Sequence, residues 1–154
     1  MKILIDTNVI LDVLCNRTDF VEDSLKVFKY CEANQITGCI SALSVSNIVY
    51  IMRKELDGER IKEILTTLTS LFTVVDLREA DLLKAADLDF TDYEDALQSV
   101  CASRAKANYI VTRNIKDFKN STVPAIKPSE LFERQREPRP VAGADRILHR
   151  TSHW

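Results

Sequence analysis

Hydrophobic and polar positions along the chain follow two rhythms. Short apolar runs closed by a polar residue read as strands buried on both faces. Longer stretches with an apolar residue every three or four positions read as helices with one buried stripe. The first run, Ile3-Leu4-Ile5, stops at Asp6 and predicts a buried parallel strand. Asn8 to about Cys15 predicts a short helix. Asp19 to about Asn34 predicts a longer one, with Asp19 and Glu22 as a capping pair and Val21, Leu25, Phe28 and Cys31 on one face. Ile36–Ile40 is a second strand. A helix opened by Ser44 follows to Leu56, and another spans Glu59 to Leu71 after the Asp57-Gly58 break. Phe72–Val75 is a third strand. Helices over Arg78 to Asp87 and Asp92 to Ala107 come next, with Thr91 and Glu94 placed as a capping box for the second. Tyr109–Thr112 is a fourth strand and Pro124–Ile126 a short edge strand. Pro128 to Phe132 is a last helical turn with proline near its start.

Strands alternating with helices imply right-handed parallel β-α-β units. The expected fold is α/β, a three-layer α/β/α sandwich around a mostly parallel sheet of four or five strands. At 154 residues the chain has room for one domain and a real core. The periodicity stops at Glu133. Residues 1–133 carry 16 basic and 21 acidic residues, a net −5, whereas 134–154 carry five arginines against two acids, a net +3. The expected division is therefore a domain over 1–133 and a basic tail over 134–154, disordered or foreign to the domain, with RNA contact as its alternative role.

Counts of single residue types exclude much chemistry. The three glycines, Gly38, Gly58 and Gly143, are too far apart for a GxGxxG turn or a P-loop. Both histidines, His149 and His153, lie in the last six residues, so the domain itself has no imidazole for Ser-His-Asp, Cys-His or HExxH catalysis. Without a supporting carboxylate that pair does not make a zinc site. Cys15, Cys31, Cys39 and Cys101 form no CxxC and read as reduced core residues of a cytoplasmic protein. No apolar run nears the ~18 residues of a membrane helix, and the N-terminus lacks signal-peptide features.

Chemistry concentrates where strands end. Asp6-Thr7-Asn8 follows the first strand; Ser41, Ser44 and Asn47 follow the second; Thr112-Arg113-Asn114 and Asp117 follow the fourth. The carboxyl ends of parallel strands line one crevice. Asp92 and Asp95 share a face of the helix before the fourth strand. Each residue also has an ordinary role: Asp92, Glu94 and Asp95 suit a first helical turn, and Asn114 and Asp117 suit a turn and a cap. Asp6 is harder to assign so, because a carboxylate at the heart of a sheet needs a partner. Converging Asp and Asn oxygens suit Mg²⁺ or Mn²⁺. A cation so held acidifies bound water and neutralises phosphate charge, which points to phosphoester hydrolysis.

The runs ILIDTNVILDVL, SALSVSNIVYIMRK, DYEDALQSVCA and ANYIVTRNIKDF, in that order over residues 1–133, resemble a PIN domain. The resemblance is to the small bacterial branch related to VapC-type toxins of toxin–antitoxin pairs. It implies a Mg²⁺- or Mn²⁺-dependent endoribonuclease that dimerises and meets an antitoxin protein. Position by position, Asp6 and Asp95 match metal ligands, Asn114 stands where many members have a fourth acid, and Asp117 supplies that charge instead. The implied catalytic set is Asp6, Asp95, Asn114 and Asp117, with Asp6, Asp95 and Asp117 on the metal. Asn8 would brace Asp6, Thr112 would turn its hydroxyl to the site, and Ser44, Asp92 and Arg113 would support ligands or substrate. Asn47 departs from the family: most members have glutamate there, though some carry asparagine. Its lost charge implies weaker metal affinity and one metal rather than two.

Arg53, Lys54, Arg104, Lys106, Arg113, Lys116 and Lys119 are candidates for RNA phosphates. The alternative function, prompted by Asn47, is a catalytically weak or inactive PIN-like module that binds RNA or protein. A haloacid-dehalogenase-type phosphatase is excluded because Asp6-Thr7-Asn8 is not Asp-x-Asp, and a receiver domain because its acidic pair is missing. A homodimer is expected from Leu11, Val13, Leu14, Tyr50, Ile51 and Leu56, a surplus of apolar positions over one buried stripe.

Overall fold

Strand β1 (Lys2–Ile5) shows how the molecule is layered. Successive strand residues point to opposite faces. Ile3 and Ile5 enter one core with Val9, Phe28, Ile64 and Leu131, while Leu4 enters another with Cys101, Ile110 and Phe118. β2 (Thr37–Ser41) and β4 (Tyr109–Val111) split the same way: Ile40 and Val111 face the first core, Cys39 and Ile110 the second. A sheet buried on both sides must be clothed in helices, which gives the expected three layers.

The computed structural model describes residues 1–134, so the predicted tail lies outside the described residues except for Arg134. With β3 (Thr73–Val75) and β5 (Ala125–Ile126), five strands form one sheet in the order β3-β2-β1-β4-β5, parallel throughout. The first core belongs to α1 (Thr7–Leu14), α2 (Val21–Glu32), α3 (Ala42–Ile51), α4 (Gly58–Leu71) and α7 (Pro128–Glu133). α6 (Tyr93–Arg104) covers the other face, and α5 (Glu79–Ala86) packs on α6 through Ala85, Ala96, Leu97 and Val100. The chain steps outward from β1 to β2 and β3, then returns to add β4 and β5 on the other side. The carboxyl ends of β1 and β4 flank that reversal, where parallel sheets open a crevice.

Helix ends differ from expectation. α2 starts at Val21 behind Phe20 with no side-chain cap, so Asp19 and Glu22 do not form the expected pair. α3 is capped by Ser41, whose hydroxyl accepts from the Ser44 amide, and Ser44 lies inside the first turn. α3 stops at Ile51 rather than Leu56, because Asp57 must be extended to cap α4 through the Arg60 amide. Asp92 caps α6 by accepting from the Glu94 and Asp95 amides, which displaces the Thr91–Glu94 box. α6 ends before Ala107 because Lys106 takes a φ of 58° to turn the chain into β4. Leu11, Val13 and Leu14 are buried inside the one chain, and Leu56 packs against the same core, so they are not surplus. Tyr50 and Ile51 alone of that set are exposed.

Gly38 lets the sheet and the helix layer approach closely. A Cβ there would stand 2.6 Å from Cys31 Sγ and 2.8 Å from a Phe72 ring carbon. Phe72 is itself locked edge-on to Phe28 at 5.1 Å between ring centroids. Gly38→Ala should therefore lower stability by about 1–3 kcal/mol, the usual cost of overpacking. Urea unfolding of both chains under identical conditions measures it; an unchanged midpoint would show that the helix layer yields freely.

Candidate active site

The crevice is built around Asp6. The β1 strand delivers it to the start of α1, where it caps the helix with extended backbone angles. It is 8% exposed. Its Oδ1 accepts from the Thr7 amide at 2.9 Å, and its Oδ2 accepts from the Thr112 hydroxyl, at the end of β4, at 2.8 Å. Asn8 is not among these partners; its Oδ1 is buried without one. The hydrogen bonds that brace Asp6 come from Thr7 and Thr112 instead.

Behind Asp6 lies a knot of hydroxyls. Gln98 Nε2 donates to Ser44 Oγ at 2.6 Å, Thr7 Oγ1 shares a hydrogen bond with Ser44 Oγ at 2.8 Å, and Ser41 Oγ donates to it at 3.2 Å. Ser44 thus ties α3, α1, β2 and α6 together. Gln98 also steadies the charge of Asp6. Neither Gln98 nor Thr7 stood out in the chain. The available signal was a polar amide in the apolar stretch Ala96–Val100, one turn after Asp95 and so on its face.

Asp95 approaches from the first turn of α6. Its pKa rises to about 7, first through partial burial and then through the carboxylates of Asp6, Asp92, Asp117 and Glu94. The pKa of Asp6 is also raised: burial outweighs the hydrogen bonds from Thr112, Thr7 and Gln98, and Asp117 adds repulsion. Asp117 sits in a 3₁₀ turn over Ile115–Phe118. Asp92, Asp95 and Asp117 line an open cavity of about 410 Å³ with Lys116 and Lys119 on its wall. Asn114 lines a neighbouring cavity of about 510 Å³ that shares Lys116 and Asp117 with the first. Asn47 lies half-buried in α3, three residues beyond Ser44 and on the same face.

Among the described residues, no three His, Cys, Asp or Glu side chains stand close enough to form a finished metal cage. Asp6, Asp95 and Asp117 are close enough to repel one another, and none of them forms an ion pair among the described residues. Their donors are hard oxygens, which suit Mg²⁺ or Mn²⁺, and a cation would reverse the repulsion that raises Asp95.

Three arginines proposed for phosphate contact have partners within the protein. Arg104 clamps Asp81 with Nε at 3.1 Å and Nη2 at 2.9 Å, and reaches Asp76 with Nη1 at 2.8 Å, tying α5 to α6. Arg113 stands 2.9 Å from the buried carboxylate of Asp12. Arg53 folds over the Tyr50 ring at 4.1 Å.

The profile of the PIN domain family matches residues 2–116. The chain belongs to the PIN domain family. The matched span reaches from β1 into the 3₁₀ turn and includes Asp6, Asp95 and Asn114, whereas Asp117 lies one residue beyond it. Ribonuclease VapC1 of Aquifex aeolicus (strain VF5) is 24% identical over 138 residues, 86% of this chain and 94% of the relative. VapBC2 from Rickettsia felis, solved with a DNA fragment from its promoter, shares the PIN architecture with a TM-score of 0.62 at 20% identity, over 82% of this chain and 98% of that one. A toxin–antitoxin complex from Klebsiella pneumoniae gives a TM-score of 0.60 at 18% identity, over 81% of this chain and 96% of that one.

The raised Asp95 has a measurable consequence for this PIN domain. A carboxyl that holds its proton more tightly when folded contributes stability that is complete below the unfolded value of 3.8 and lost as pH rises through about 7. Metal-free protein should melt at a lower temperature at pH 7.5 than at pH 5, and Asp95→Asn should flatten that difference. Asp76 and Asp81, whose pKa values are lowered, are ionised in both states across this window and do not mask it. Calorimetric melts in EDTA measure it; equal slopes for the two chains would remove Asp95 from the repelling cluster.

Proposed function

We propose that this PIN domain is a metal-dependent endoribonuclease that hydrolyses RNA phosphodiesters, acting as the toxin of a toxin–antitoxin pair. The observation that carries the reading is the crevice of mutually repelling acids, Asp6, Asp95 and Asp117, with no paired base among the described residues. The name of the VapC1 relative supports ribonuclease activity, and the VapBC2 and Klebsiella complexes support an antitoxin partner.

Asp6, Asp95 and Asp117 would hold Mg²⁺ or Mn²⁺, which when bound supplies Lewis acidity and an acidified water at the scissile phosphate. The protein's own groups orient everything else. Thr112 and the Thr7 amide fix the plane of the Asp6 carboxylate, and the knot at Ser44 keeps α1, α3 and α6 in register around it. Lys116 and Lys119, on the wall beside Asp117, offer ammonium groups to the RNA backbone. Asn114 offers a neutral amide at the adjoining cavity. The test is mixed RNA incubated with the full chain, with and without Mn²⁺. Cleavage should require Mn²⁺ and fall about 10²-fold or more in Asp6→Asn, the scale of losing one preorganised charged group. Metal-independent cleavage, or full activity in Asp6→Asn, would falsify the reading.

The binding-module alternative rests on Asn47, which faces the Ser44 side of α3 without a charge. RNA retained in EDTA and left intact in Mn²⁺ would select it. If Asn47 instead borders the metal, glutamate there adds one negative charge, and unit charges about 4 Å apart interact by up to ~4 kcal/mol at an effective dielectric of ~20. After repulsion from the other acids, Asn47→Glu should tighten Mn²⁺ by about tenfold, and Asp95→Asn should weaken it by more. Calorimetric titration of Mn²⁺ at one ionic strength reads both; unchanged affinity in Asn47→Glu places the side chain away from the ion.

A homodimer belongs to the same proposal, resting on exposed Tyr50 and Ile51. No helix among the described residues is long and apolar enough to cross a membrane. The free cysteines, three of four buried, agree with a cytoplasmic location.

A further inference from the structure

We propose that the cavity beside Arg113 is a base-binding subsite that seats one unpaired guanine of the RNA next to the cleavage crevice; this rests on the nuclease reading above. The cavity measures about 150 Å³ and is lined by Phe20, Asp23, Ser24, Arg113, Lys127 and Pro128, among others. Sites for drug-sized ligands run ~300–1,000 Å³, so this one suits a single flat ring system. It is joined to the crevice through shared walls. Arg113 and Lys127 also line the cavity that holds Asn114 and Asp117, and Asp117 and Lys116 line the acidic cavity in turn.

The walls are held in place. Arg113 Nε is buried 2.9 Å from Asp12 Oδ2, an ion pair that lacks aligned hydrogen-bond geometry. The guanidinium carbon lies 3.9 Å over the centre of the Phe20 ring. One edge and one face of the guanidinium are thereby fixed. Its terminal nitrogens make no hydrogen bond among the described residues. Phe20 is 40% exposed, an aromatic left at the surface. Unpaired RNA bases are stacked on such guanidinium planes and rings, which tolerate any base.

Selectivity comes from Asp23. It lines the same cavity as Arg113 and Lys127 yet forms an ion pair with neither. A carboxylate and a guanidinium that do not pair with one another thus line one small cavity. Guanine offers acceptors at O6 and N7 for an arginine, and donors at N1 and N2 for a carboxylate. Adenine presents an unprotonated N1 where guanine has a donor. Uracil flanks its one N–H with two carbonyls, and cytosine places a bare N3 beside its amino group. Each of these sets a lone pair against the carboxylate. Lys127, exposed on the rim, is placed for a flanking phosphate.

The test titrates the four ribonucleoside 5′-monophosphates into the metal-free full chain in EDTA, followed by calorimetry. The variants are Asp23→Asn, an exposed isosteric change, and Phe20→Ala. GMP should bind about tenfold more tightly than AMP, CMP or UMP, Asp23→Asn should erase the preference, and Phe20→Ala should weaken GMP by about as much. Equal affinities, no binding up to ~10 mM, or GMP binding unchanged in Asp23→Asn overturns the subsite. Sequencing of Mn²⁺-dependent cleavage sites separates the two readings. Cleavage whose sequence pattern is identical in wild type and Asp23→Asn overturns the subsite and leaves the nuclease. Selective GMP binding by a chain that cleaves no RNA supports the subsite and overturns the nuclease.

Discussion

The constraint on which the site depends is the burial of an aspartate without a cation to balance it. Asp6 is placed by the two most central strands of the sheet, at the point where the strand order reverses. Burying an ionised carboxylate among neutral partners is unfavourable, and hydrogen bonds recover only part of the loss. The Thr7 amide, the Thr112 hydroxyl and Gln98 do that much, and the pKa of Asp6 still rises. The chain keeps this penalty rather than relieving it with a lysine or arginine. A basic residue paired with Asp6 would lower that penalty.

The other buried acids show that the chain can balance a carboxylate with an arginine. Asp12, fully buried in α1, has Arg113 at 2.9 Å, the Ser24 hydroxyl at 3.0 Å and Arg17 at 3.5 Å. Asp81 is held by both nitrogens of the Arg104 fork, and its pKa is lowered. Asp6 shares its degree of burial with these two and lacks their arginines. That contrast, within one molecule, separates buried acids balanced by an arginine from one held by neutral donors alone.

The layers were legible because the apolar runs are short, separated and alternate with amphipathic stretches. Ile3-Leu4-Ile5 must feed both faces of a sheet, and it does. Asp6, Asp95 and Asp117 were legible because each sits at the edge of an element, where a change from apolar to polar is visible in one dimension. The roles of Arg104, Arg113 and Gln98 were not. Arg113 lies about a hundred positions from Asp12 and Arg104 more than twenty from Asp81, and nothing local distinguishes a paired arginine from a solvated one. Ser44 reads as a helix start from composition alone. Only the packing of α3 on α1 and α6 makes it the junction of four elements.

Two adjacent residues beyond β4 hold two different buried acids. Thr112 donates its hydroxyl to Asp6, which caps α1, while Arg113 pairs with Asp12 within that helix. One dipeptide just beyond β4 thus holds the first helix at its cap and along its body. The same arginine carries the face that rests on Phe20. A shift of β4 relative to α1 therefore cannot move the acid without also moving the guanidinium. Such a coupling ties the cavity beside Arg113 to the position of Asp6 through a single strand end.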